Sequence, residues 1–309
     1  MKSQTTNTIL MIEPVAFGFN PQTAVNNYFQ QSDFVAEADV QQLALDEFKG
    51  MVEKLRANGI NVIVVKDTEQ PHTPDSIFPN NWISFHEDGQ VILYPMFAEN
   101  RRKERRKNII QLIEDQGTVI NNVDDFTFWE EQNLYLEGTG SMVFDRVNRI
   151  AYAALSERTD KSVFLQFCTS FDYKPVYFHA YHSVGDNNHH LPVYHTNVMM
   201  CVADKYALIC TNSIDDDEEL DYLYNALEKS GKDVIPISRQ QMHCFAGNML
   251  QVENINGKKL LVMSQSAFNS LYEHQIDQLK AYNELLVISI PTIEKVGGGS
   301  VRCMMAEVF

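Results

Sequence analysis

Five times along this chain an amphipathic helix runs into a short apolar strand, and that recurrence limits the possible folds more than any other feature. The junctions lie at residues 55–65, 113–120, 167–178, 227–237 and 279–290. Their strands end at Val65, Ile120, Phe178, Ile237 and Ile290, so successive ends are 55, 58, 59 and 53 residues apart. A period of that length marks one supersecondary unit used repeatedly. After the strands come clusters of chemically capable side chains: Asp75-Ser-Ile-Phe-Pro-Asn-Asn81, Glu137-Gly-Thr-Gly140, His195-Thr-Asn197, His243-Cys-Phe-Ala-Gly-Asn248 and Arg302-Cys303. A ring of five such units would bring an equivalent point of each to one centre.

Within a unit the order is strand, strand, helix, strand. Helices are expected near residues 36–57, 100–116, 161–171, 216–229 and 266–282. The first carries Val40, Leu43, Leu45, Phe48, Met51, Val52 and Leu55 as its apolar stripe and stops at Asn58-Gly59. Strand pairs are expected at 142–144 with 150–155, 198–202 with 206–211, and 249–252 with 260–264, beside a strand at 91–94 and an opening strand at 8–12. Turn residues at 87–89, 145–148, 203–205 and 254–257 sit where hairpins reverse. This is an α/β arrangement with mixed pairing. No Pro/Gly/Ser-rich or charged linker divides the 309 residues, so a single domain over 1–309 is expected.

With 25 Lys and Arg against 41 Asp and Glu, the net charge of −16 argues against nucleic acid and anionic lipid as partners. No apolar run reaches the roughly 18 to 20 residues of a membrane span. The polar N-terminus, leading straight into a strand, predicts a cytoplasmic protein with a small-molecule ligand. Cys168, Cys201, Cys210, Cys244 and Cys303 are odd in number, scattered and without CxxC spacing, which indicates neither a disulfide framework nor zinc. The acidic run at 215–219 reads as a helix N-terminus rather than a calcium loop. The basic run at 101–106 reads as a solvated helix face from which one arginine could reach a ligand. His182, Asp186, His189 and His190 read as structural rather than metal-ligating.

The motifs Asp75-Ser-x-Phe78 with Asn80-Asn81, Glu137-Gly-x-Gly140, Ser156-Glu-Arg-Thr159, His195-x-Asn197 and Gly297-Gly-Gly-Ser-Val-Arg-Cys303 together resemble the amidinotransferase and arginine deiminase superfamily of guanidine-modifying enzymes. Within it, the citrulline-utilisation hydrolases match best. The motifs span nearly the whole chain. The resemblance implies a five-bladed α/β propeller, the pentein fold, with its ligand in the central channel and no cofactor or metal. It further implies Cys303 as nucleophile, His195 as general acid/base and Glu137 as the carboxylate holding the reacting group. A thiol attacks as thiolate and needs such help at neutral pH. Arg158 resembles the arginine that binds a substrate carboxylate, with Arg101 a second candidate. Asp75 is expected either to bind the substrate's amino end or to shape the loop before Phe78, and Asn80 to share the role of Asn81.

Two departures bear on the substrate. Relatives that take guanidinium groups carry aspartates where this chain has Asn81 and Asn197. Losing two negative charges disfavours a buried cation, whereas amides offer both donor and acceptor to a neutral ureido group. The expected reaction is C–N hydrolysis of a ureido amino acid such as citrulline, giving ornithine, ammonia and carbon dioxide. A guanidine-modifying enzyme (arginine deiminase, dimethylarginine hydrolase or amidinotransferase) and a non-catalytic binding protein of the same fold are the alternatives. Asn248 has no evident role, and the oligomeric state stays open, a homo-oligomer included.

Overall fold

The computed structural model describes residues 3–32, 37–184 and 189–309. Among them, five sheets of three strands share one topology: an inner strand antiparallel to a middle strand, then a helix, then an outer strand parallel to the middle one. The second sheet is Ile83–Phe85, Gln90–Leu93, Asn122–Asp125, and the third Val143–Asp145, Ile150–Ala154, Lys174–Phe178. The fourth is Met200–Val202, Tyr206–Ile209, Asp233–Pro236, and the fifth Leu250–Glu253, Lys259–Ser264, Glu284–Ile288. The first sheet joins the two ends of the chain. Its middle strand Thr8–Glu13 pairs in parallel with Asn61–Lys66 and antiparallel with the C-terminal strand Ala306–Val308. The sheets do not merge into one continuous ladder.

Inner and middle strands are buried on both faces, which is why they read as apolar runs; Ile9, Leu10, Met11, Tyr152, Ala153 and Leu208 are fully inaccessible. Neighbouring sheets are stitched by buried polar groups. Gln4 Nε2 donates to Phe144 O (2.8 Å) and Val202 O (3.1 Å), and Glu307 accepts from Arg146 (3.3 Å) and Arg302 (2.7 Å). Gln251 Oε1 accepts from Asp204 N (2.8 Å). No helix of the described residues is long and apolar enough to cross a membrane.

Several boundaries differ from expectation for physical reasons. The first helix, Glu37–Ala57, buries Val40, Ala44, Phe48, Met51, Val52 and Leu55, while Leu43 is exposed; the i, i+4, i+8 stripe runs through Ala44 and leaves Leu43 off it. The apolar Val119–Ile120 is not a strand. The outer strand of the second sheet is the polar Asn122–Asp125, an edge position defined by backbone pairing and not by side-chain burial.

The second helix breaks into Glu99–Arg102 and Lys107–Asp115. Its basic run is not a solvated face, because Arg101 turns inward and Arg105 forks onto Glu130. The last helix also divides, into Gln265–Ser270 and Glu273–Tyr282, and a helix at Pro291–Gly297 went unanticipated. As expected, the acidic run opens a helix: Asp216 caps Asp217–Lys229 by accepting from Glu218 N and Glu219 N. His190 pairs with Asp215, and no metal-holding group of three or more His, Cys, Asp or Glu exists among the described residues. Asp186 lies outside them.

Candidate active site

Each inner strand is entered through a short turn, and the side chains singled out above sit on those turns. Asn81 ends the turn Pro79–Asn81, two residues before Ile83. Glu137 immediately precedes the turn Gly138–Ser141, and His195 precedes Thr196–Met199, which carries Asn197. Asn248 lies two residues before Leu250, and Cys303 three before Ala306. The repeat thus presents one equivalent turn from each sheet. All of these side chains are at most 3 % exposed.

At Cys303 two carboxamides meet the thiol. Asn248 Nδ2 is 3.3 Å from Sγ, and Asn197 Nδ2 is 3.6 Å from it. Asn248, which had no evident role in the sequence, thus stands beside Asn197 at the sulfur. Burial pushes the Cys168 and Cys201 thiols up to about 12, which leaves them inert at neutral pH. Cβ atoms on Gly297 and Gly299 would come within 2.8 and 2.9 Å of the Phe78 ring, so Phe78 packs against this segment. Gly298 sits at φ +62, where other residues are strained, and its carbonyl accepts from Tyr194 OH at 2.6 Å.

Glu137, expected to hold the reacting group, is paired with protein groups. Its Oε2 lies 2.8 Å from His195 Nε2 and 3.7 Å from Arg158 Nη1, and Oε1 accepts from Phe97 N at 2.9 Å. Its backbone is tied through Glu137 N to Ser141 Oγ (2.8 Å) and Ser141 Oγ to Arg158 O (2.6 Å). Burial would raise the Glu137 carboxyl, but Arg158 and the His195 hydrogen bond outweigh it and bring it down to about 2.

Burial lowers His195 to about 4, the nearby Arg158 and Arg101 adding to it against the pull of Glu137. At neutral pH the pair is therefore carboxylate and neutral imidazole. A carboxylate only accepts, so Nε2 carries the proton and Nδ1 is a bare base. A Cβ on Gly140 would lie 2.8 Å from that Nδ1 and 2.3 Å from Asn81 Nδ2, so Gly140 keeps open the space between base and amide.

Asn81 Oδ1 accepts from Arg101 Nη1 at 2.8 Å, and its Nδ2 has no protein partner among the described residues. Arg101 is otherwise committed to Glu104, through Nε and Nη2 at 2.9 Å each, and to Phe78 O at 3.0 Å. It therefore positions Asn81 and is poorly placed to fork onto a substrate carboxylate. Arg158 is also engaged: Nε donates to Asn26 Oδ1 (2.7 Å) and Nη2 to Thr23 O (2.7 Å). Asp75 Oδ2 accepts from Asn20 (2.7 Å) and Thr23 (3.1 Å), while Oδ1 is unpaired among the described residues. Burial raises the Asp75 carboxyl against the pull of Arg101. Asn80 Nδ2 donates to Thr139 Oγ1 at 3.2 Å, and Oδ1 has no partner among the described residues.

Asn20, Thr23 and Asn26 thus tie the segment they share to Asp75 and Arg158. Sequence reasoning missed it; the signal was a run of amides between Phe19 and Phe29, too polar for burial without partners.

Among solved structures, the N-terminal domain of a Cys→Ser variant of ArgZ bound to substrate, an arginine dihydrolase from cyanobacteria, is 18% identical and superposes with TM-score 0.70 over 97% of each chain. DDAH from Pseudomonas aeruginosa, a Cys→Ser variant complexed with citrulline, is 14% identical with TM-score 0.63, covering 99% of this chain and 100% of that one. Full-length ArgZ is 17% identical, with TM-score 0.72 over 97% of this chain, which spans only 40% of its length. These are pentein-fold guanidine-modifying enzymes, and the likeness shows the α/β fold. No curated protein sequence matches the chain. The family model for N,N-dimethylarginine dimethylhydrolase, eukaryotic, matches residues 13–309; the chain belongs to that family, within the guanidine-modifying superfamily.

Proposed function

We propose that the chain hydrolyses a neutral ureido amino acid, with citrulline the simplest candidate, to ornithine, ammonia and carbon dioxide. The observation that carries this reading is the pair Asn81 and Asn197. Of the two, Asn81 turns an unpaired amide donor towards the space beside His195, and Asn197 sets its amide against the Cys303 sulfur. The carboxylate at His195, Glu137, is already neutralised by Arg158. A guanidinium would enter with too little opposing charge, and an unpaired buried cation is costly.

In this reading the Cys303 thiol gives its proton to His195 Nδ1 and attacks the ureido carbon. The developing oxyanion takes amide donors from Asn81 or Asn197. The imidazolium, stabilised by Glu137, protonates the departing amine of ornithine and leaves a carbamoyl-thioenzyme. Water, deprotonated by His195, releases carbamate, which decays to ammonia and carbon dioxide. Asp75 Oδ1 receives the substrate ammonium, and Arg158 the carboxylate once Asn26 and Thr23 yield its fork. The five sheets act as blades of one propeller ring formed by residues 1–309, and a cytoplasmic setting keeps the five thiols reduced.

The second reading keeps guanidine chemistry, and the family match together with arginine-acting neighbours such as ArgZ favours it. Incubation with citrulline, arginine, methylated arginines and agmatine, followed by amine analysis, separates the two. Ornithine and ammonia from citrulline alone is the expected result. Turnover of arginine or dimethylarginine with citrulline untouched overturns the ureido reading.

A further inference from the structure

We infer that Asn248 is a positioning residue that aims a fixed N–H donor at the Cys303 sulfur and favours its thiolate before any substrate binds. Amide orientation is ordinarily ambiguous, since the oxygen and nitrogen of an asparagine can exchange places. Here both neighbours remove the ambiguity. Arg302 N, a group that can only donate, lies 3.0 Å from Asn248 Oδ1. Asn197 O, a group that can only accept, lies 2.9 Å from Nδ2. The oxygen therefore faces Arg302 and the nitrogen faces Asn197, which leaves the second N–H of Nδ2 directed at Sγ, 3.3 Å away. Asn197, in contrast, has Nδ2 at 3.6 Å and Oδ1 at 3.9 Å from Sγ, with no comparable constraint on which faces the sulfur.

The side chain is fully buried, so the contact is made without competing water. Its three contacts join the turns before the fourth and fifth sheets to the turn that carries the thiol. A donor that cannot rotate away stabilises sulfur more when it is anionic than when it is protonated, because hydrogen bonds to ionised groups are the stronger ones. This assignment rests on Cys303 being the nucleophile, and it has a chemical consequence for a neutral substrate. A cationic substrate brings its own positive charge to a thiolate; a ureido group does not, so the free enzyme must supply the stabilisation itself.

The test is the pH dependence of Cys303 alkylation by iodoacetamide, followed by intact-protein mass with Cys303→Ser as the background for the other four thiols. It needs no substrate, so it stands apart from the citrulline assay. Asn248→Ala and Asn248→Asp are compared with the parent, each checked for folding by circular dichroism. In both, the profile moves to higher pH by about one unit or more, the size one hydrogen bond to a charged group supports. The shift is larger for Asn248→Asp, whose second oxygen faces the sulfur. Should citrulline prove to be the substrate, kcat falls at least tenfold with KM little changed. An alkylation profile that superposes on the parent's in either folded variant overturns the inference. Failure of both variants to fold overturns it as well, by making Asn248 a structural residue.

Discussion

His195 Nε2 lies 2.8 Å from Glu137 Oε2 with both side chains buried, so the carboxylate fixes which imidazole nitrogen is free to take a proton. Replacing the carboxylate by an amide removes that control, because Gln can donate as well as accept. Glu137→Gln is expected to lower kcat by about 100- to 10,000-fold, the range that positioned proton transfer contributes. Steady-state kinetics on a variant that melts like the parent checks it; a loss under fivefold removes the pair from the chemistry.

If the two asparagines set the charge a substrate can carry, as proposed, exchanging both for aspartate should shift the preference. An aspartate at 81 keeps the contact with Arg101 Nη1 through one oxygen and puts the other where Nδ2 now stands. Asn81→Asp with Asn197→Asp is expected to reduce citrulline turnover by at least tenfold and to bring in measurable arginine hydrolysis. Competition kinetics with the two amino acids reads the ratio of kcat/KM; an unchanged preference ends the charge argument.

Gly140 has no side chain to contribute, yet the site depends on it. The Asn81 amide it faces is tied through Oδ1 to Arg101, so it cannot swing away from a new Cβ 2.3 Å distant. Gly140→Ala is expected to cost about 1–3 kcal/mol of stability by overpacking and to lower kcat/KM well beyond tenfold. Urea denaturation and kinetics on the same preparation measure both.

Five units were legible because helix and strand periods are local: the helix at Lys161–Ser170 and the strand at Lys174–Phe178 need only their own residues to be recognised. What escaped is non-local. Nothing near Ala306–Val308 says that it pairs with Thr8–Glu13, almost three hundred residues away, or that Asn122–Asp125 is an edge strand despite its carboxylates. The site divides the same way. Cys303, His195 and Glu137 stood in motifs, and the structure brings Glu137 against His195. The burial of Arg101 on Glu104 and the reach of Asn26 to Arg158 are tertiary contacts that no motif announces.

Arg101 and Glu104 form a bidentate pair in which both partners are buried. Burial raises Glu104 to about 7 even beside the guanidinium. Breaking such a pair from one side leaves an uncompensated group, and Arg101→Met is expected to destabilise the protein by about 3–5 kcal/mol. Arg101→Met combined with Glu104→Leu should recover much of that loss in urea denaturation, while activity stays low because Asn81 Oδ1 has lost its donor.

His182 offers a test of acid stability away from the proposed chemistry. Only 1 % exposed, it stands among the rings of Tyr28, Phe29 and His243, and neither ring nitrogen has a hydrogen-bond partner among the described residues. Burial lowers it to about 4, with the nearby His243 and Arg239 adding to the effect. Between its ordinary value of 6.5 and about 4, the unfolded chain binds a proton that the folded one refuses. Stability from this group is therefore present above 6.5 and lost as pH falls through that window. His182→Phe keeps the aromatic packing and removes the proton uptake. Relative to the parent, the variant is expected to gain up to about 1.4 kcal/mol for each pH unit below 6.5, levelling off near 4. Urea midpoints at half-unit pH steps measure the difference; parallel curves for the two proteins would show that His182 is protonated alike in the folded and unfolded states.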